Sequence, residues 1–160
     1  MILGMHHTAI ATADIDKLSK FYCDVIGLRK IAEDGWANVP ELDSIVGLKN
    51  SAARFMLLSA GNQLVELFEF SSPAGRPGDP NRPVNDQGFT HICFVVDDID
   101  AEYERLVAAG MPFFAPPVKA GDRPLRATYG RDPDGNVVEL LQIVGDTPFN
   151  YLPTTPRWRK

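Results

Sequence analysis

Four side chains able to bind a metal stand inside otherwise apolar, strand-like runs: His7, Glu66, His91 and Glu139. His7 opens His-Thr-Ala-Ile-Ala and His91 opens His-Ile-Cys-Phe-Val, while Glu66 interrupts Gln-Leu-Val-Glu-Leu-Phe and Glu139 interrupts Val-Val-Glu-Leu-Leu. A carboxylate carried into a sheet without a partner is costly, so two of them at matching places call for a shared reason. Taken singly, such residues are ordinary: a strand glutamate most often faces solvent, and a histidine is most often a surface group. Repetition sets these four apart. His7, Asp14, Ile15 and Asp16 recur as His91, Asp98, Ile99 and Asp100 at one constant offset, and each copy closes on a strand holding one glutamate. Two imidazoles and two carboxylates suit a divalent first-row metal, although common ancestry of two copies would also repeat a structural residue. His6 and His7 point to opposite faces of a strand, and the alignment with His91 selects His7. Glu69 lies three residues beyond Glu66, so it faces the other side, where solvation is expected.

The elements that must position these residues follow from the spacing. Residues 6–12 read as a strand, and 15–26 as a helix with Asp14 as N-cap and Gly27 as C-cap. A short strand is expected at 28–33, an ambiguous segment at 33–50 with room for a turn of helix, and strands at 52–59 and 63–70. The second copy reads as strands near 89–96, 112–115, 125–131 and 137–143, with a helix at 99–109 that runs into Gly110. Asp132-Pro-Asp-Gly135-Asn136 is a turn, since proline fixes φ and glycine permits positive φ. Each copy is therefore a βαβββ unit whose single helix covers one face of its sheet. The expected fold is α+β: two tandem βαβββ modules forming a curved mixed sheet around a central metal-binding cleft. One domain is expected over 1–143, made of module 5–70, a Pro- and Gly-rich linker 71–88 and module 89–143. A Pro-rich tail over 144–160 completes it.

Composition narrows the function classes. The chain has 160 residues, 44% hydrophobic and 23% charged, enough apolar material for a packed core and too little charge for a disordered chain. Its net charge of −5 does not attract phosphate backbones, so no nucleic-acid partner is expected. The basic end Arg157-Trp158-Arg159-Lys160 reads as an exposed terminus. No run approaches the roughly 20 apolar residues of a membrane span, and Met1–His7 has no basic region before an apolar run, so no membrane partner, no secretory signal and a cytoplasmic location are expected. The two cysteines, Cys23 and Cys93, each sit in an apolar run and read as buried thiols. No phosphate-binding glycine loop and no nucleophile elbow is present. Arg54 within one strand, and Arg123 and Arg126 around another, are candidates to hold a polar or anionic substrate group, against the plainer reading of surface arginines.

Several of these runs resemble one superfamily. His7-Thr-Ala-Ile, Asp14-Ile-Asp and Phe21-Tyr22-x-Asp24-Val-Ile-Gly27-Leu28 resemble the opening of vicinal oxygen chelate proteins. Those include glyoxalase I, methylmalonyl-CoA epimerase, extradiol dioxygenases, and fosfomycin and bleomycin resistance proteins. Gly88-Phe-Thr-His91-Ile-Cys-Phe-x-Val-Asp-Asp98-Ile resembles the start of their second module, and Asp132-Pro-Asp-Gly-Asn136-x-x-Glu139-Leu their closing motif. The resemblance spans about residue 5 to residue 143.

The resemblance implies that His7, Glu66, His91 and Glu139 ligate one divalent metal (Zn, Ni, Co, Mn or Fe). A carboxylate at 66 with the other three intact is similar to glyoxalase I and close to the epimerases. It implies a metal-dependent isomerase or lyase that abstracts a proton next to a metal-held oxygen of a small carbonyl substrate, with Glu139 and Glu66 as the bases and Glu41 an outside candidate. Arg54, Arg126 and Phe55 are the candidates to bind that substrate. The alternatives are an Fe(II)-dependent extradiol-type dioxygenase, or a non-catalytic small-molecule binding or resistance protein whose site is lined by Trp36, Phe55 and Phe68. A homodimer is also implied, with modules pairing within one chain or exchanged across two.

Overall fold

The computed structural model describes Ile2, residues 4–145 and Thr147. The tail expected over 144–160 and its basic end lie outside these residues apart from Val144, Gly145 and Thr147. The chain divides into two compact units between Gly78 and Asp79, inside the segment read as a linker.

In the first unit, strand β1 (His7–Ala11) leads to helix α1 (Ile15–Lys20), which continues as a π-helical turn over Phe21–Ile26. Asp14 caps α1, its carboxylate accepting the Lys17 amide at 2.9 Å, and Gly27 ends the turn at φ +94°, a conformation that favours glycine. Strand β2 (Arg29–Ala37), helix α2 (Pro40–Val46), β3 (Ala52–Ser59) and β4 (Leu64–Ser72) follow. The sheet order is β1-β4-β3-β2, with β1 parallel to β4 and the other pairs antiparallel. Ile15, Leu18 and Tyr22 pack fully buried with Met56, Leu58, Val65 and Leu67, so the helix covers one sheet face.

The second unit repeats the plan with β5 (His91–Val95), α3 (Ile99–Ala108), β6 (Val118–Lys119), β7 (Leu125–Arg131) and β8 (Val137–Ile143). Its order is β5-β8-β7-β6, with β5 parallel to β8. Asp98 caps α3 by accepting the amides of Asp100 and Ala101 at 3.2 and 3.1 Å. Ile99, Leu106, Val138 and Leu140 form its core.

The expected single curved mixed sheet around a central cleft is corrected by this topology. There are two separate four-stranded sheets, each mixed, and neither is curved or closed as expected. The reason is local: the first strand of each unit pairs with its own last strand across the helical crossover, so each module completes its ladder alone. Strand boundaries also differ, most at two places, and β6 at Val118–Lys119 was not expected. β2 runs to Ala37, beyond the expected 33, and 112–115 holds only an isolated bridge from Phe113 to Gly130. Pro112, Pro116 and Pro117 remove the amides that a ladder needs there. Gly130 lets that segment lie close, since a Cβ on it would meet Pro112 O at 2.7 Å. Among the described residues, no helix is long and apolar enough to cross a membrane.

Candidate functional site

Strand alternation places the chemistry on the sheet face that the helix leaves uncovered. In β4, Val65 and Leu67 are buried under α1, so Glu66 projects from the opposite face. β1 pairs in parallel with His7 beside Leu64 and Ala9 beside Glu66, which puts His7 on that same face. His7 Nε2 lies 3.1 Å from Glu66 Oε2; the glutamate side chain is 13% exposed and the imidazole 40%. The other ring nitrogen, Nδ1, is 2.8 Å from His6 Nδ1, so one ring donates its N–H to the lone pair of the other. Beyond Glu66, the rings of Trp36, Phe55, Phe68 and Phe70 gather on this face, with centroids 5.5–6.5 Å apart.

The second unit builds the same pair. Val138 and Leu140 face the helix, Glu139 faces away, and His91 stands beside Val137 in the parallel ladder. His91 Nε2 lies 2.9 Å from Glu139 Oε2, with side-chain exposures of 27% and 14%. Its Nδ1 is 2.7 Å from Thr90 Oγ1. The Tyr129 ring packs 4.9 Å from the imidazole, on the strand position opposite Glu139. Cys93 also pairs with Glu139 across the ladder. Cys23 is half-buried and Cys93 exposed, not the buried thiols expected; partial desolvation first, then the charge of Glu139 and a hydrogen bond to it, push the Cys93 thiol up to about 12. Burial and the same carboxylate raise the Tyr129 phenol above its ordinary range. Both groups therefore stand protonated and neutral at pH 7 beside Glu139.

The structure thus brings together His7 with Glu66 and His91 with Glu139. Among the described residues, no three His, Cys, Asp or Glu side chains converge into a group able to hold an ion. Phe55 lies on the face of Glu66, opposite Phe68 in the ladder. Arg54 and Arg126 lie on the helix-bearing faces. Arg54 donates to both oxygens of Asp16 at 3.0 Å and to Glu33 at 3.0 Å, and Arg126 donates to both oxygens of Asp100 at 2.5 and 2.8 Å. Arg123 and Glu41 are exposed, Glu41 in the first turn of α2. Glu69 faces the helix side as its spacing requires, but solvation is not its whole state: its carboxylate accepts the Ile15 amide at 3.0 Å, at the start of α1.

Sequence reasoning set His6 aside in favour of His7, gave Cys93 no role despite its place two residues from His91, and did not reach Thr90 or Tyr129. Tyr129 needed the antiparallel register of β7 with β8, which no spacing within one strand supplies.

The chain matches the family model described as Glyoxalase/Bleomycin resistance protein/Dioxygenase superfamily over residues 4–140. It is 29% identical over 144 residues to the uncharacterized protein YaeR of Escherichia coli K12, covering 86% of this chain and 95% of that protein. It is 28% identical over 159 residues to the 2-epi-5-epi-valiolone epimerase of an Actinomyces species, covering 92% and 83%. A crystal structure of a glyoxalase family protein from Bacillus cereus superposes with a TM-score of 0.79 at 24% identity, covering 91% of this chain and 97% of that one.

Proposed function

Because the chain belongs to the Glyoxalase/Bleomycin resistance protein/Dioxygenase superfamily, we propose that it is a divalent-metal-dependent isomerase or lyase of a small carbonyl substrate. The observation that carries this reading is the repeated pair: an imidazole Nε2 facing a carboxylate oxygen at 3.1 Å in one unit and 2.9 Å in the other. The donor chemistry fits a divalent ion. Two neutral imidazoles and two carboxylates balance its charge and match the nitrogen and oxygen preference of first-row metals. Behind each imidazole, His6 or Thr90 engages Nδ1, which holds the ring with Nε2 turned towards its glutamate. His7, Glu66, His91 and Glu139 are the proposed ligands. When bound, a divalent ion supplies Lewis-acid stabilisation of negative charge developing on a substrate oxygen.

The rest of the chemistry falls to the chain. Glu139 or Glu66 takes the proton from the substrate carbon next to that oxygen, both being glutamates of limited exposure. Cys93 and Tyr129 stay neutral and place no second negative charge beside Glu139. Two glutamates allow proton removal by one and return by the other, which an epimerisation requires. The similarity to an epimerase supports this class of step.

The test is metal binding by the chain after stripping with a chelator. Zinc, nickel and cobalt titrations are expected to show one tight site per ligand set, lost in His91→Ala and weakened in Glu66→Ala. Unchanged affinity in His91→Ala would overturn the reading. The grouped rings of Trp36, Phe55 and Phe68 favour one second reading, a non-catalytic binder of an apolar small molecule; that reading requires no tight metal site at all.

A further inference from the structure

Three arginines meet a carboxylate: Arg54 at Asp16 and Glu33, Arg105 at Glu102, Arg126 at Asp100. Arg82 and Arg131 are half-buried, yet among the described residues neither has a carboxylate partner. Arg131 donates from Nη1 to the Gly135 carbonyl at 2.6 Å and from Nη2 to the Arg82 carbonyl at 2.9 Å. Its Cζ stands 5.0 Å from the centre of the Phe114 ring. Arg82 donates from Nη2 to the carbonyl of Phe89. Carbonyls and a ring face orient a guanidinium without neutralising it, and each fork keeps further N–H donors to offer.

Their placement is specific. Arg131 stands opposite Val137 in the β7–β8 ladder, and Val137 stands opposite His91 in the β5–β8 ladder. Arg131, Val137 and His91 therefore form one row on the face that carries Glu139. Phe89, whose carbonyl holds Arg82, lies two residues before His91. The loop bearing Arg82 is itself pressed on the turn after β7. Gly135, at φ +88°, approaches Pro80 so closely that a Cβ would lie 2.3 Å from its Cα.

We propose that Arg82 and Arg131 form an anion-binding subsite that holds a carboxylate or phosphate group of the substrate beside His91 and Glu139. The proposal deepens the function proposed above and rests on it: the small carbonyl substrate carries an anionic substituent. A chain of net charge −5 repels anions at long range, so an anionic substrate needs local guanidinium forks. Arginine binds carboxylate and phosphate in two parallel hydrogen bonds.

The test uses inorganic phosphate and acetate as probes, titrated separately into the full chain by calorimetry in a buffer free of other strong anions. Phosphate binding without acetate binding supports a phosphorylated substrate, and acetate binding without phosphate a carboxylate one. Arg131→Met and Arg82→Gln are each expected to weaken the binding about tenfold or more, with Arg131→Lys intermediate. Arg82→Gln guards against loss of folding, since its side-chain bond is to a single loop carbonyl. Zinc titration runs in parallel. Arginine-dependent anion binding in a chain with no metal site would sink the metal reading and leave this subsite. Metal binding with no anion binding, or anion binding indifferent to both arginines, would sink the subsite alone.

Discussion

Each imidazole of the site is held from behind. Thr90 Oγ1 lies 2.7 Å from Nδ1 of His91, a contact that aims the ring. Thr90→Ala is expected to lower zinc affinity by about 10- to 100-fold, with Thr90→Ser close to wild type. Equal affinities in all three chains would show that Thr90 does not orient the ring. The residues of the site divide by how much of their environment lies along one strand. The pairing of His7 with Glu66 and of His91 with Glu139 was legible because the repeat compares like with like and period-2 alternation selects one face. Arg54 and Phe55 are neighbours in β3, so they cannot share a face. Which one sides with Glu66 is decided by the β3–β4 register, and that register favours Phe55. Arg126 is three residues before Tyr129, the partner of Glu139, and so falls on the helix side.

At the scale of elements, the two units repeat a clasp as well as a site. Arg54 grips Asp16 at the start of α1, and Arg126 grips Asp100 at the start of α3; both arginines stand at the same step of the third strand from the site glutamate's partner. Arg126 holds the Asp100 carboxylate below its ordinary range in the folded chain. Asp100 therefore contributes its full stabilisation above the unfolded pKa of about 3.9, and loses it as pH falls from there through the folded value. Thermal unfolding of wild type and Asp100→Asn is expected to differ at pH 6 and to converge as pH drops below about 3.9; a difference that widens in acid would contradict the clasp. Asp98 caps α3 by accepting two amides. Asp98→Ala is expected to cost about 1 kcal/mol in urea unfolding, with a smaller loss for Asp98→Ser. The start of α1 was legible from its capping residue Asp14, whereas α2 starts after Val39 without a side-chain cap. The run at 112–115 was not legible, because its apolar residues suit a strand while its prolines deny it the ladder.

For the whole molecule, the repeat made two βαβββ modules legible, and the sheet count followed from pairings that no periodicity reports. First-to-last strand pairing inside each module is a long-range choice, and it yields two sheets where one curved sheet was expected. Among the described residues, each unit carries one such His–Glu pair. If the proposed metal binds only the folded chain, free zinc at a hundredfold excess over its Kd should add about 2.7 kcal/mol to the unfolding free energy. A melting temperature indifferent to zinc and to chelator would contradict that. Sedimentation equilibrium is expected to give twice the mass of one chain if the homodimer that the family resemblance implies forms, and the mass of one chain would contradict it.

The central claim is that His7, Glu66, His91 and Glu139 bind one ion. X-ray absorption of the zinc-loaded chain tests it most directly. The account predicts a nearest shell of nitrogen and oxygen donors at about 2.0–2.2 Å. It predicts imidazole scattering reduced by half in both His7→Ala and His91→Ala, and a donor lost in both Glu66→Ala and Glu139→Ala. A spectrum unchanged by either histidine substitution would contradict it.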